Sequence, residues 1–298
     1  ISFSILLIAF SSIAQEEFEN NIKVGQTTIE YLDSDRNRPL KTEIWYPTED
    51  SFSDKDLINE SESPFLRNAT VRNGKIKNGK FPLILLSHGT GGGRLTMEWY
   101  AFAMAQQGYI VAAVDHWGNT FDNKIPEQFV QFWNRPLDLK FILDKLLVNQ
   151  KFSSKIMKSN ISVSGFSLGG YTAVALVGGD ISVDELIAHS KTKKGKREFR
   201  IPELPNLPKI MEKNSFKEEF IKYKYKLSDS RINAAVVMAP ALGQGFRTEK
   251  QFTNIKVPVF IIGAESDFIA PVEMNAEHYH KLIPQSKYVE LEGKIGHY

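Results

Sequence analysis

The chain has 298 residues, 42% hydrophobic and 24% charged, with 37 Lys and Arg against 35 Asp and Glu. That is the composition of an ordinary globular protein, long enough for one large domain or two small ones. A net charge of +2 speaks against nucleic acid as a partner, and the absence of cysteine excludes disulfides, thiolate metal sites and a cysteine nucleophile.

Residues 1–14, ISFSILLIAFSSIA, are uncharged and end on Ser12-Ile13-Ala14, just before Glu16 and Glu17. The run is shorter than the roughly 20 residues that span a bilayer. Small residues at the two positions read by signal peptidase point to a leader peptide, an exported protein and a mature start at Gln15. The missing basic segment implies a leader that begins before Ile1. A buried N-terminal strand or helix is the alternative.

Residues 22–47 alternate enough for an antiparallel hairpin turning at Asp33-Ser34-Asp35. Residues 49–78 are polar and read as a long surface loop. Near-continuous apolar runs follow: FPLILLS at 81–87, YIVAAVD at 109–115, NISVSG at 160–165, INAAVVM at 232–238, VPVFIIG at 257–263 and YVEL at 288–291. Such runs suit parallel strands covered on both faces. Helical spacing occupies 95–107, 127–147, 168–177 and 272–283, with Pro136 marking a kink or an N-terminal boundary. The alternation predicts an α/β fold: a mainly parallel central sheet, helices on both faces and an antiparallel hairpin at one edge.

Residues 15–179 and 231–298 would form the core, interrupted at 180–230 by a cap-like insertion. The insertion holds the proline-rich IPELPNLP at 201–208 between amphipathic segments at 183–189 and 209–225. Its Lys and Arg outnumber its Asp and Glu, a pattern open to a lid, a membrane-surface contact or a solvated face. As a cap it would turn Phe216, Phe220, Ile221 and Tyr223 inward, with Trp117 lining the same substrate pocket. Packing of these aromatics onto the body is the plainer alternative.

Gly165-Phe166-Ser167-Leu168-Gly169 stands between a predicted strand and a predicted helix. A nucleophile on so sharp a turn needs small neighbours two positions away, and the turn presents its hydroxyl at the carboxyl end of the sheet. A serine hydroxyl needs a base. Of the six histidines, His189 lies in the insertion, His278 and His280 fall on a predicted helix, and His297 follows the last strand. The order Ser, acid, His therefore selects His297. The acid should come from a strand end between them: Asp267 fits, Glu265 is its rival, and the loop at 239–245 has no carboxylate. The glycine-rich His88-Gly89-Thr90-Gly91-Gly92-Gly93 sits where an oxyanion-hole amide is expected, so the N–H groups of Thr90 and Leu168 are the candidate donors, with His88 holding the loop. No Gly-Lys-Ser/Thr follows these glycines, which removes a phosphate-cradling role.

These pieces, with Gly118-Asn119-Thr120, Arg135-Pro136-Leu137-Asp138, Ala239-Pro240-Ala241 and Gly296-His297-Tyr298, resemble the α/β-hydrolase superfamily. Within it the chain is similar to the predicted dienelactone hydrolase group related to platelet-activating factor acetylhydrolases. The resemblance runs from about residue 41 to the end. It implies the α/β-hydrolase fold, a Ser167–His297–Asp267 triad, Thr90 and Leu168 as oxyanion donors, and no metal or organic cofactor. It also implies a closing helix beyond Tyr298. The expected activity is that of an exported serine esterase acting on a small-molecule ester. A lipase- or phospholipase-like enzyme at lipid surfaces, a peptidase and an inactive binding protein of the same fold are the alternatives.

Overall fold

The apolar runs become strands because each carries large side chains on both faces, and only a sheet covered on two sides buries them all. A computed structural model describes residues 22–53, 56, 68–199 and 201–298; the expected leader at residues 1–14 lies outside them. In chain order, β1 (Lys23–Asp33) and β2 (Arg38–Thr48) form the antiparallel hairpin, and β3 (Val71–Arg72), inside the stretch expected to be loop, adds parallel to β1. There follow β4 (Phe81–Ser87), α1 (Glu98–Gln106), β5 (Ile110–Val114), α2 (Pro126–Val130), α3 (Asn134–Val148), β6 (Ile156–Phe166) and α4 (Leu168–Leu176). The insertion contributes α5 (Val183–Ser190), α6 (Lys193–Glu198), α7 (Leu207–Met211) and α8 (Asn214–Tyr223). The chain then completes β7 (Ala234–Met238), β8 (Val259–Ala264), α9 (Ala276–Leu282) and β9 (Lys287–Leu291).

The strand order is β3-β1-β2-β5-β4-β6-β7-β8-β9, with antiparallel pairing only at β1/β2 and β2/β5. Leaving β4 the chain crosses to β5 on one side, and leaving β6 it crosses to β7 on the other. Adjacent β4 and β6 thus flank the topological switch point, where their carboxyl ends open a crevice. The period of two divides each strand between two cores. Leu83 and Leu85 join Ile110, Ala112, Val163, Val237 and Ile261 against Leu139, Leu143 and Tyr171. Ile84 and Leu86 join Trp45, Val111 and Ala113 against Ala101 and Ala105 of α1. Each fully buried Leu, Ile or Val stabilises the fold by about 1.5–3 kcal/mol relative to exposure.

Two helical expectations change in detail. The stretch expected as one helix at 127–147 is split, with α2 opening on Pro126 and Pro136 falling in the first turn of α3. There a proline's missing N–H leaves no intrahelical bond unmade. The segment expected at 209–225 breaks between α7 and α8, and the start of α7 carries Pro208. Ser182 and Thr192 cap α5 and α6, accepting from the Glu185 and Gly195 amides at 3.3 and 3.0 Å. Among the described residues no helix is long and apolar enough to cross a membrane.

Candidate active site

The turn from β6 into α4 is built by steric exclusion. Ser167 has φ 55° and ψ −119°, a conformation costly for a residue with a side chain, by about 1–3 kcal/mol. Three contacts maintain it: Ser167 N–H donates to Met238 O at 2.9 Å, and Ser167 O accepts from the Gly170 and Ala241 amides at 2.8 and 3.0 Å. A Cβ at Gly165 would stand 1.9 Å from Gly169 O, and one at Gly169 would stand 1.9 Å from Ser87 O. The glycines of the motif are therefore required by backbone passing against backbone, and β4 is one of the walls.

Asp267 follows β8 and His297 follows β9, parallel neighbours whose carboxyl ends face the same crevice. His297 Nδ1 lies 2.7 Å from Asp267 Oδ2. The other Asp267 oxygen accepts from the Ile269 and Ala270 amides at 2.9 and 2.7 Å. Burial pushes the Asp267 carboxyl up, but the hydrogen bond from His297 and the two amides outweigh it and hold it below the usual carboxylate range. With Asp267 ionised, His297 carries its proton on Nδ1, which leaves Nε2 as an acceptor. That Nε2 is buried and has no hydrogen-bond partner among the described residues. The ring is held by Phe166 and Tyr298, with centroids at 4.7 and 5.0 Å. The rival acid, Glu265, is exposed and accepts from the Gly293 amide. His189, His278 and His280 are engaged elsewhere, with Glu198, Phe246 O and Ser286.

Thr90, Ser167, Leu168 and His297 line one cavity of about 370 Å³. Neither the Thr90 nor the Leu168 amide donates a hydrogen bond among the described residues, so both donors are available there. The walls are mainly apolar, with Phe129, Val130 and Phe132 from α2 and the link to α3, Leu242 after β7, and Phe199, Ile201, Leu207 and Met211 from the insertion, but Lys124, Glu198, Gln244 and Asn275 also line it. Sequence reasoning expected none of these in the pocket, since no period or motif marks which residues of short helices and loops reach a cavity.

Two expectations about the pocket are corrected. Trp117 does not line it: Arg38 lies over the Trp117 ring at 5.7 Å and donates to its carbonyl at 3.3 Å, and the ring borders a separate surface cleft with Asp115 and Asp122. The insertion contributes to the lining of the cavity, but not with the side chains expected. Phe216 and Phe220 pack on Trp133, at 4.9 and 5.6 Å, while Ile221 is 63% exposed and Tyr223 is only partly buried. In α8 the aromatics fasten the insertion to the body, while Phe199, Ile201 and, from α7, Leu207 and Met211 reach the cavity. Among the described residues no group of His, Asp and Glu could hold a metal ion.

A family model described as "Platelet-activating factor acetylhydrolase, isoform II" matches residues 29–121. That stretch reaches from β1 through the His88–Gly93 loop and stops short of Ser167. A cutinase, "Cutinase 2" of Thermobifida cellulosilytica, is 23% identical over an alignment of 225 residues that covers 73% of this chain. The match spans 61% of the cutinase's own length. The solved structure of a ferulic acid esterase from Streptomyces cinnamoneus superposes with a TM-score of 0.59 at 20% identity, over 90% of this chain and 73% of that one.

Proposed function

We propose that this chain, which has the α/β-hydrolase fold, is a serine esterase that hydrolyses carboxylic esters through an acyl-enzyme. The observation that carries the reading is the convergence of Ser167, His297 and two unused amides on one mainly apolar cavity, with His297 held on its far side by ionised Asp267. In this mechanism Nε2 of His297 takes the Ser167 proton as Oγ attacks the ester carbonyl. Asp267 stabilises the imidazolium without accepting its proton. The tetrahedral oxygen forms beside the Thr90 and Leu168 amides, where each donor contributes about 2.7–4 kcal/mol to the barrier reduction. His297 then protonates the leaving alcohol, and water deacylates Ser167 by the same route in reverse. The esterase-type names of the matched proteins support the same reaction class, and no step calls for a metal or an organic cofactor.

The mainly apolar lining suits an uncharged acyl or alkoxy group of limited size. A second reading, action at a lipid surface, is favoured by the exposed apolar side chains at the cavity mouth: Phe121 is 71% and Ile269 56% exposed, beside Phe268 at 88%. Pre-steady-state hydrolysis of p-nitrophenyl acetate tests the main reading. A burst of one nitrophenolate per chain, absent in Ser167→Ala, is expected; steady turnover that survives the substitution would refute it.

A further inference from the structure

Behind the cavity, among residues the mechanism does not use, lies a second Asp–His–Ser arrangement. Asp138 Oδ2 is 3.0 Å from His116 Nδ1, and His116 Nε2 is 2.9 Å from Ser87 Oγ. Ser87, His116 and Asp138 are each 0% exposed, so no substrate reaches them. Arg38 grips Asp138 with two hydrogen bonds at 2.8 and 2.9 Å, and Arg36 adds an ion pair at 2.9 Å. Burial pushes the Asp138 carboxyl up, but Arg38, the hydrogen bond from His116 and Arg36 outweigh it and hold it far below the carboxylate range. His116 is therefore the Nδ1–H tautomer donating to Asp138, and its Nε2 accepts the Ser87 proton.

Ser87 is the last residue of β4 and the entry to the oxyanion loop. Arg135, also sealed from solvent, donates to His88 O and approaches Ser87 Oγ at 3.4 Å. The His116 amide donates to His88 Nε2 at 3.3 Å, which leaves the His88 proton on Nδ1, 2.6 Å from Gly89 O. This last bond bears on the chemistry. In a planar trans peptide the C=O and the following N–H point in opposite directions. Gly89 O also accepts from the Gly92 amide at 3.2 Å, so the His88 ring and that turn together hold the peptide; with Gly89 C=O drawn onto the ring, the Thr90 N–H faces the opposite way, and Thr90 lines the cavity.

We propose that Ser87, His88, His116, Arg135 and Asp138 are positioning residues for the reaction, a sealed relay whose output is the direction of the Thr90 N–H. The proposal rests on the reading of Thr90 as an oxyanion donor and goes beyond it by naming what aims that donor. The relay is chemically silent because it is sealed, although its atoms repeat the order of the reactive triad.

Ser87→Ala removes one oxygen and adds no volume. His88→Phe keeps an aromatic ring, though a larger one, and removes both nitrogens, and His88→Asn restores a donor near Nδ1. Rates are normalised to the sites titrated by a fluorophosphonate, so that unfolded material does not count. Ser87→Ala is expected to lower kcat for p-nitrophenyl acetate by roughly 10-fold with KM nearly unchanged, and to weaken phenylboronic acid in proportion, since that tetrahedral adduct uses the same amide. His88→Phe should lose about 10²-fold, as for a lost oxyanion donor, and His88→Asn should recover most of it. Unchanged kcat and boronate affinity in Ser87→Ala and His88→Phe, with only the Tm lowered, would overturn the relay and leave the serine reading intact. A wild-type protein that takes no fluorophosphonate would overturn the serine reading, and the relay with it.

Discussion

Acidification from pH 7 to pH 5 should destabilise the protein through two buried imidazoles. Burial, and then the positive charge of Arg135, push His116 down to about 3, and the same two causes hold His88 well below its ordinary value. In the unfolded chain both titrate near 6.5. Between the two values the unfolded state binds a proton that the folded state refuses, so stability is full above about pH 6.5 and falls as the pH falls. At pH 5 the difference for His116 is about 2 kcal/mol, or roughly 3 °C in Tm for a chain of this size, and His88 moves stability in the same direction. The depressed carboxyls of Asp138 and Asp267 add their loss only below about pH 4, where the unfolded carboxyls protonate, so the window from 7 to 5 isolates the histidines. Thermal melts at constant ionic strength measure it, and His116→Asn should show a pH dependence flatter by about 2 kcal/mol. Equal Tm at the two pH values, or the same slope in the variant, would refute the reasoning.

Asp267→Asn should cost about 10⁴-fold in kcat by giving His297 the wrong tautomer, whereas Glu265→Gln, at an exposed carboxylate, should stay within a few-fold; the reverse pattern in steady-state kinetics would move the acid to Glu265. Across p-nitrophenyl esters from acetate to palmitate, a cavity of only about 370 Å³ predicts a preference for short chains that anionic vesicles leave unchanged. An optimum at long chains with vesicle activation would instead select the lipid-surface reading. Export predicts a mature protein that begins at Gln15 by N-terminal sequencing after secretion, and equal activity from a chain expressed without residues 1–14. Aggregation of that shorter chain would make the segment part of the fold.

What was legible in the sequence is what local rules encode. The hairpin follows from alternation, the parallel strands from two-sided apolar runs, and the turn at Ser167 from glycines that sterics demand at 165 and 169. The meeting of Asp267 with His297 was legible because topology confines loop residues after parallel strands to one edge of the sheet. Trp117 misled because its place at the end of β5 says nothing of Arg38, which arrives from the hairpin and draws the ring aside. The relay was hidden for the same reason: Arg38 and Asp138 are 100 residues apart, and His116 and Asp138 meet only once α3 lies on the sheet. In the insertion, Phe216 and Phe220 announced an apolar stripe but not its partner, and the stripe chose Trp133 over the cavity. The insertion residues that do line the cavity, Phe199, Ile201, Leu207 and Met211, come from the ends of short helices and proline-broken chain with no period to read.

The central claim is that Ser167 is a nucleophile activated by His297. Mass spectrometry of the intact protein after reaction with a fluorophosphonate, followed by peptide mapping, tests it most directly. The account predicts a single adduct on Ser167, absent in Ser167→Ala and strongly slowed in His297→Ala. An unmodified protein, or an adduct on a different serine, would contradict it.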